Sequence, residues 1–353
     1  MNRIQAFLKR KNVLLSAKCY GVDAMGAMAQ GLFASLLIGT IIKTLGQQLG
    51  VQFLIDAGNF AQQVAGPAMA VSIGAALSAP QLVLYSLIAV GMAANSLGGA
   101  GGPLAVYIIT IIAAECGKLV SRETKVAILV TPAVTILTGC GLAVLCAPAI
   151  GAAASAVGDF IKWATNLQPF LMGVLVSVAV GMALTLPISS AAICAALSLT
   201  GLAGGAAVAG CCAQMVGFAV ISYRENGASG LISQGLGTSM LQMPNILRNP
   251  RIWIAPTLAS AVTGPLATCL FHLEMNGPAV SSGMGTCGLV GQIGVYTGWL
   301  NDIAAGTRTA ILPMDWLGLA LICFVLPAIL SLIFCWILRR LGWVKPGDMK
   351  LAD

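Results

Sequence analysis

The sequence predicts an all-α, polytopic membrane protein. About ten transmembrane helices are expected at about 20 residues per span, with re-entrant or broken helices and an internal repeat. Three observations predict it. Hydrophobic residues make up 58% of the 353 and charged residues only 8%, against about 25% charged in a soluble domain. The apolar residues fall in long runs. Lys and Arg collect between the runs. This much apolar surface exceeds what an aqueous core takes in, so lipid is the solvent for most of the chain.

The chain opens on a basic segment, 1–20, with Arg3, Lys9, Arg10, Lys11 and Lys18. No small-residue cleavage site follows, so the first apolar run, 22–44, reads as an uncleaved span. Further runs cover 51–79, 81–97, 103–117, 126–149, 167–186, 188–202, 204–222, 252–272, 279–299 and 313–338. The loop around 121–125 carries Lys118, Arg122 and Lys125. Segment 222–251 carries Arg224, Arg248 and Arg251, and the tail carries Arg339, Arg340, Lys345 and Lys350. Only Lys43, Lys162 and Arg308 fall elsewhere. The positive-inside rule places these basic stretches and both termini in the cytoplasm. The crossings are then even in number, and 279–299 is the run expected to enter and return without crossing. The net charge of +7 sets topology and does not point to nucleic acid.

Two short blocks recur in the same order. Gly74-Ala-Ala-Leu-Ser-Ala-Pro80 parallels Gly181-Met-Ala-Leu-Thr-Leu-Pro187, and Gly98-Gly-Ala-Gly-Gly102 parallels Gly201-Leu-Ala-Gly-Gly205. They suggest a repeat, 22–120 and 125–227, within one membrane-embedded domain spanning 1–353.

Three segments interrupt apolar runs with polar or Gly-rich backbone: 95–103, 185–190 and 276–292. Irregular backbone survives at membrane depth only when buried in protein or lining a cavity. Pro187 before Ser189 and Ser190 suits the start of a half-helix, because Pro lacks the N–H that would be orphaned there. The candidate solute-binding groups are therefore Asn95, Ser96, Thr185, Ser189, Ser190, Asn276, Ser281, Ser282, Thr286 and Gln292. They form a neutral, hydrogen-bonding set suited to a polyol or sugar. Ser and Thr in such helices also bond back to their own backbone, which is the competing structural reading. Among acids away from the basic loops (Asp23, Asp56, Asp159, Glu274, Asp302 and Asp315), Glu274 is the site candidate. It lies beside the sole histidine, His272, either at the site or in a wet surface loop.

Several chemistries are disfavoured. Eleven cysteines without a C-x-x-C, and one histidine, form neither a zinc signature nor a disulfide framework. Gly283-Met-Gly-Thr-Cys-Gly288 matches G-x-G-x-x-G, but no strand precedes it. No catalytic constellation, cofactor motif or ATP-hydrolysing motif is visible.

Four blocks carry a resemblance: Gly21 to Ser35, Leu186-Pro-Ile-Ser-Ser190, Gly237-Thr-Ser-Met-Leu-Gln-Met-Pro-Asn245 and Asn276 to Gln292. Taken in order, they resemble enzyme IIC, the membrane component of bacterial sugar phosphotransferase systems, in its divergent branch that includes PfoR-like toxin regulators. The resemblance implies a homodimeric inner-membrane carrier that moves a small polar solute by alternating access. In that family phosphate comes from IIA and IIB partners; with no such domain expected in this chain, they are separate soluble proteins or absent. The branch name also raises a second expectation, a ligand sensor that does not transport.

Overall fold

The computed structural model describes residues 7, 8, 10–13 and 16–351; Arg3 and Lys9 lie outside the described residues. Helix dominates, and no strand occurs among the described residues beyond an isolated bridge between Gly201 and Met275. Six helices among them are long and apolar enough to cross a membrane: Lys18–Leu49, Gln81–Val120, Ala127–Ala164, Gly201–Ile221, Pro250–Leu270 and Pro313–Arg340. Ala65–Ala76 and Pro169–Thr185 are apolar but shorter. The chain is a multi-pass membrane protein. It divides into two compact units, Met1–Ala154 and Ser155–Asp353.

Unit 1 holds α1 (Lys18–Leu49), α2 (Gln52–Gln63), α3 (Ala65–Ala76), α4 (Gln81–Gly98) and α5 (Gly102–Val120). It ends within α6 (Ala127–Ala164). The run expected over 51–79 is two helices. The first carries Gln52, Asp56, Asn59, Gln62 and Gln63, too polar a set to continue as one lipid-facing span. The stretch Gln81–Val120 is likewise two helices folded back on each other. A Cβ on Gly117, near the end of α5, would lie 2.9 Å from Val83 at the start of α4. The reversal falls on the 3₁₀ turn Gly99–Gly101, where Gly99 has φ +51°, a conformation that L side chains rarely adopt.

One charge sits differently from the expectation. Lys118 is not in the basic loop but in the last turn of α5, with its side chain 2% exposed. Its Nζ donates to the carbonyl of Leu77, just past α3, and to Glu115 Oε1, both at 3.0 Å. A helix end leaves carbonyls without partners, and a cation there is favoured by the helix dipole. The demand of α3 for a C-terminal partner draws the lysine in.

Unit 2 holds α7 (Pro169–Thr185), α8 (Ser190–Ala196), α9 (Gly201–Ile221), α10 (Tyr223–Ile232), α11 (Met243–Arg248), α12 (Pro250–Leu270), α13 (Val290–Ala304) and α14 (Pro313–Arg340). The long helix α9 is its axis, enclosed by α7, α12 and α14. Its Gly, Ala and Cys side chains let neighbouring backbones approach closely. A Cβ at Gly210, for instance, would run into the Ser177 carbonyl of α7. Against the middle of α9 lies an apolar core of Val208, Cys212, Leu273, Met275, Trp299 and Ile322. Beyond the C-terminal end of α9 the basic segment 222–251 meets the tail.

Candidate functional site

Two irregular segments of unit 2 lie side by side. The first begins where α7 stops at Thr185. Residues 186–189 carry the chain into α8, a helix of 7 residues. The expected start at Pro187 is corrected: the helix begins at Ser190, and Ser189 caps it by accepting from the Ala192 N–H at 3.2 Å. A side-chain oxygen satisfies a first-turn donor directly, whereas Pro only removes one.

The second segment, 276–304, is a hairpin. Its descending arm is made of 3₁₀ turns at Ala279–Gly283 and Cys287–Leu289, and its returning arm is α13. The arms touch along Gly291, Gly294 and Gly298, which share one helix face by their spacing. A Cβ at Gly298 would lie 2.8 Å from the Asn276 nitrogen, one at Gly294 2.5 Å from Ser281 Cβ, and one at Gly291 2.5 Å from the Gly285 carbonyl oxygen. The Asn276 amide closes the open end by donating to Asp302 at 3.0 Å. Both arms therefore begin and finish at the same end of the unit.

The two segments satisfy each other's backbone. Ser190 Oγ donates to the Gly283 carbonyl at 2.7 Å, and Ser282 Oγ donates to the Leu199 carbonyl at 2.6 Å. Gly201 and Met275 exchange backbone bonds at 3.1 and 3.0 Å. Asn276 Oδ1 accepts from the Gly201 N–H at 3.2 Å. A buried carbonyl without a partner costs about 1–3 kcal/mol, so each broken stretch needs the hydroxyls the other supplies.

The remaining candidates fall in three places. Ser281 is buried against Gly294, and Gln292 donates to Cys212 Sγ at 3.2 Å while its Oε1 is buried without a partner. Thr286, at the hairpin tip, donates to the carbonyl of Gly235, and Thr185 bonds Ser239 Oγ at 2.7 Å. Glu274 is exposed, as is His272; Glu274 accepts from Asn276 at 3.1 Å, which suits the surface-loop reading. Asn95 and Ser96 belong to unit 1. There Asn95 is wedged between α3 and α5: Cβ atoms on Gly66 and Gly102 would lie 2.7 and 2.6 Å from its side chain. Ser96 is exposed.

Sequence reasoning missed Gln214 and the tail. Gln214 is fully buried in α9, accepts from Trp253 Nε1 at 2.9 Å and Thr185 at 3.3 Å, and donates to Thr257 at 3.2 Å. A lone amide in a 21-residue apolar helix was the available signal. The tail is held by side chains of segment 222–251. Asn226 and Gln242 donate to the Met349 carbonyl at 2.9 Å, and Asn245 donates to that of Lys350 at 2.9 Å. Glu225 accepts from the Met349 N–H at 2.8 Å. Among the described residues no group of three or more His, Cys, Asp or Glu is placed to hold a metal.

The sequence model of the family described as phosphotransferase system, EIIC, matches residues 22–351. Comparison with curated proteins and with solved structures gives no match. The matched span takes in both compact units, both irregular segments and the tail, so the chain belongs to the EIIC family, the membrane permease components of phosphotransferase systems.

Proposed function

We propose that this protein carries a small polar, sugar-like solute across the bacterial inner membrane by alternating access, as a homodimer served by separate soluble IIA and IIB proteins. The basic segments, and with them both termini, face the cytoplasm, and about ten crossings at about 20 residues each accommodate the chain. The paired blocks at 74–80 and 181–187 are read as marks of an internal repeat.

One observation carries the reading. The irregular segments 186–200 and 276–290 are joined by hydroxyl–carbonyl bonds, Ser190 to Gly283 and Ser282 to Leu199. Such bonds are worth about 0.5–1.5 kcal/mol net, so hydroxyls of a solute can replace them at little cost. In the conformation described here the groups are spent on each other. Binding a solute requires the segments to part, and parting is the movement that alternating access needs. Ser189, Ser190, Asn276, Ser281, Ser282 and Gln292 then supply the contacts.

A second reading has its own support. Thr286 at the hairpin tip rests directly on Gly235 of the basic segment, so a bound solute could be reported there without being moved. Purified protein in liposomes decides between them, using a panel of labelled hexoses and hexitols with and without cytoplasmic extract. Uptake establishes a carrier. Saturable binding without uptake establishes a sensor. No binding of any polyol removes both readings.

A further inference from the structure

Segment 222–251 touches both irregular segments. Ser239 bonds Thr185 at the end of α7, and Gly235 accepts from Thr286 at the hairpin tip. The same segment is clasped from its other side by the tail. Asn249 donates to the Trp343 carbonyl at 3.0 Å and to Asp348 at 2.8 Å, and Asn226 Oδ1 accepts from the Leu351 N–H at 2.8 Å. With Glu225, Gln242 and Asn245, five side chains of the segment grip the tail, almost wholly through its backbone. Met349 and Val344 are buried in the process. The grip is wired inward as well. Gln242 donates to Gln234 at 2.8 Å, Gln234 donates to Ser222 at 2.9 Å, and Gly235 follows next in the chain. A path of side-chain amides thus runs from the tail to the residue beneath the hairpin tip.

We propose that residues 343–351 are a strap that holds segment 222–251 shut beneath the two irregular segments, and that the strap releases when this end of the site opens. The inference rests on reading those segments as the solute site. Its physical basis is that amide-to-backbone bonds are many, individually weak and lost together. They give a cooperative closure whose opening bares Met349 and Val344 and leaves the apolar core around α9 in place. The neighbouring ion pair Arg339–Glu225, at 3.1 Å, anchors the end of α14 so that only the residues beyond it need move.

Native cysteines report the opening without any solute. Cys287 lies fully buried at the hairpin tip, and Cys323 lies fully buried in the apolar core against the middle of α9. In full-length protein carrying Asn226→Ala and Asn245→Ala, a small water-soluble maleimide should label Cys287 about ten- to a hundredfold faster than in wild type, with Cys323 still protected. Unchanged labelling of Cys287 overturns the proposal. So does a parallel rise at both cysteines, which would make the tail a folding element and not a strap. Hydrogen exchange on the unmodified protein is the second measurement. The amides of Met349 and Leu351 should exchange at a common rate with those of 233–242, and a tail that exchanges far faster than the segment it holds overturns the strap. Neither readout involves transport. If Ser190→Ala leaves solute binding intact while the strap behaves as stated, only the reading of the site fails.

Discussion

The two compact units bury polar groups by opposite means. In unit 1 the helices run on between their turns, with π-helical stretches only at Lys18–Asp23 and Phe33–Leu37 among the described residues, and a buried cation serves a helix end: Lys118 holds the Leu77 carbonyl and pairs with Glu115. In unit 2 the backbone itself is broken, and neutral hydroxyls make good the loss. The difference is in what separation costs. Baring one partner of a buried ion pair costs about 3–5 kcal/mol. Exchanging a hydroxyl–carbonyl bond for one to a ligand or water costs close to nothing net. Unit 1 is thereby built to stay as it is, and the irregular part of unit 2 is built of contacts that can be traded.

The largest test of this contrast is Lys118→Met. It leaves the partly buried Glu115 carboxyl without its cation. Detergent-purified protein should lose about 3 kcal/mol, read as a clear fall in thermal midpoint. The double variant Lys118→Met/Glu115→Leu should recover most of that loss. If the double variant is as unstable as the single one, the loss lies in the bond from Lys118 to the Leu77 carbonyl and not in the unpaired acid, and the contrast breaks.

Next in size is Gly298→Val. Its Cβ would meet the backbone of Asn276 and Gly277 at 2.8–2.9 Å, and backbone cannot swing aside. The expected cost is about 1–3 kcal/mol or more, with the hairpin pushed open and polyol binding lost. Gly102→Leu in unit 1 meets the Asn95 carbonyl oxygen at 2.9 Å and should destabilise by a similar amount. Normal stability and binding in Gly298→Val would show that the two arms of the hairpin do not depend on this contact.

How much of this was legible beforehand follows from what each feature depends on. The membrane class and the places where helices break depend on composition and on local Gly and Pro strings. The 95–103 and 276–292 runs stood out for that reason. The depth of Lys118 did not, because it depends on a carbonyl 41 residues away. Reading it as loop charge was sound on sequence spacing and wrong on tertiary demand. The same holds for the tail: Asn226, Gln242 and Asn245 read as ordinary polar residues of a loop, and only the fold brings Met349 and Lys350 to them. The candidate hydroxyls were found because broken backbone flags itself. Their mutual bonds could not be, since pairing between two irregular segments leaves no periodicity to read.

Smaller effects come from the hydroxyls. Ser190→Ala and Ser282→Ala each orphan a buried carbonyl, of Gly283 and Leu199 respectively, and should cost about 1–3 kcal/mol. The carrier reading adds a signature that a purely structural role lacks: polyol affinity falls about tenfold or more, and at saturating solute the stability deficit persists. Asn276→Ala should be at least as costly, since its side chain holds Gly201, Glu274 and Asp302 together. His272→Ala, on an exposed residue, should stay within about 0.5 kcal/mol. A histidine variant more damaging than Asn276→Ala would move the chemistry to the surface loop.

The smallest expected effect lies in the basic loop of unit 1. Glu123 takes Lys11 at 2.5 Å and Arg10 at 2.8 Å. The hydrogen bond from Lys11, followed by the nearby charge of Arg10, holds its carboxyl below the ordinary value of 4.5. A carboxyl lowered on folding contributes stability that is present above its unfolded value and is lost as pH falls through the lowered, folded one. The contribution should therefore be complete at neutral pH and fade below about 4.5. Because the pair is open to water, it should be slight and should shrink further in high salt. Glu123→Gln should flatten this acid-side slope and change nothing at pH 7. A thermal midpoint that depends on pH equally in wild type and variant would assign the slope to other carboxylates. It would also leave the buried Lys118–Glu115 pair as the only ion pair with a measurable role among the described residues of unit 1.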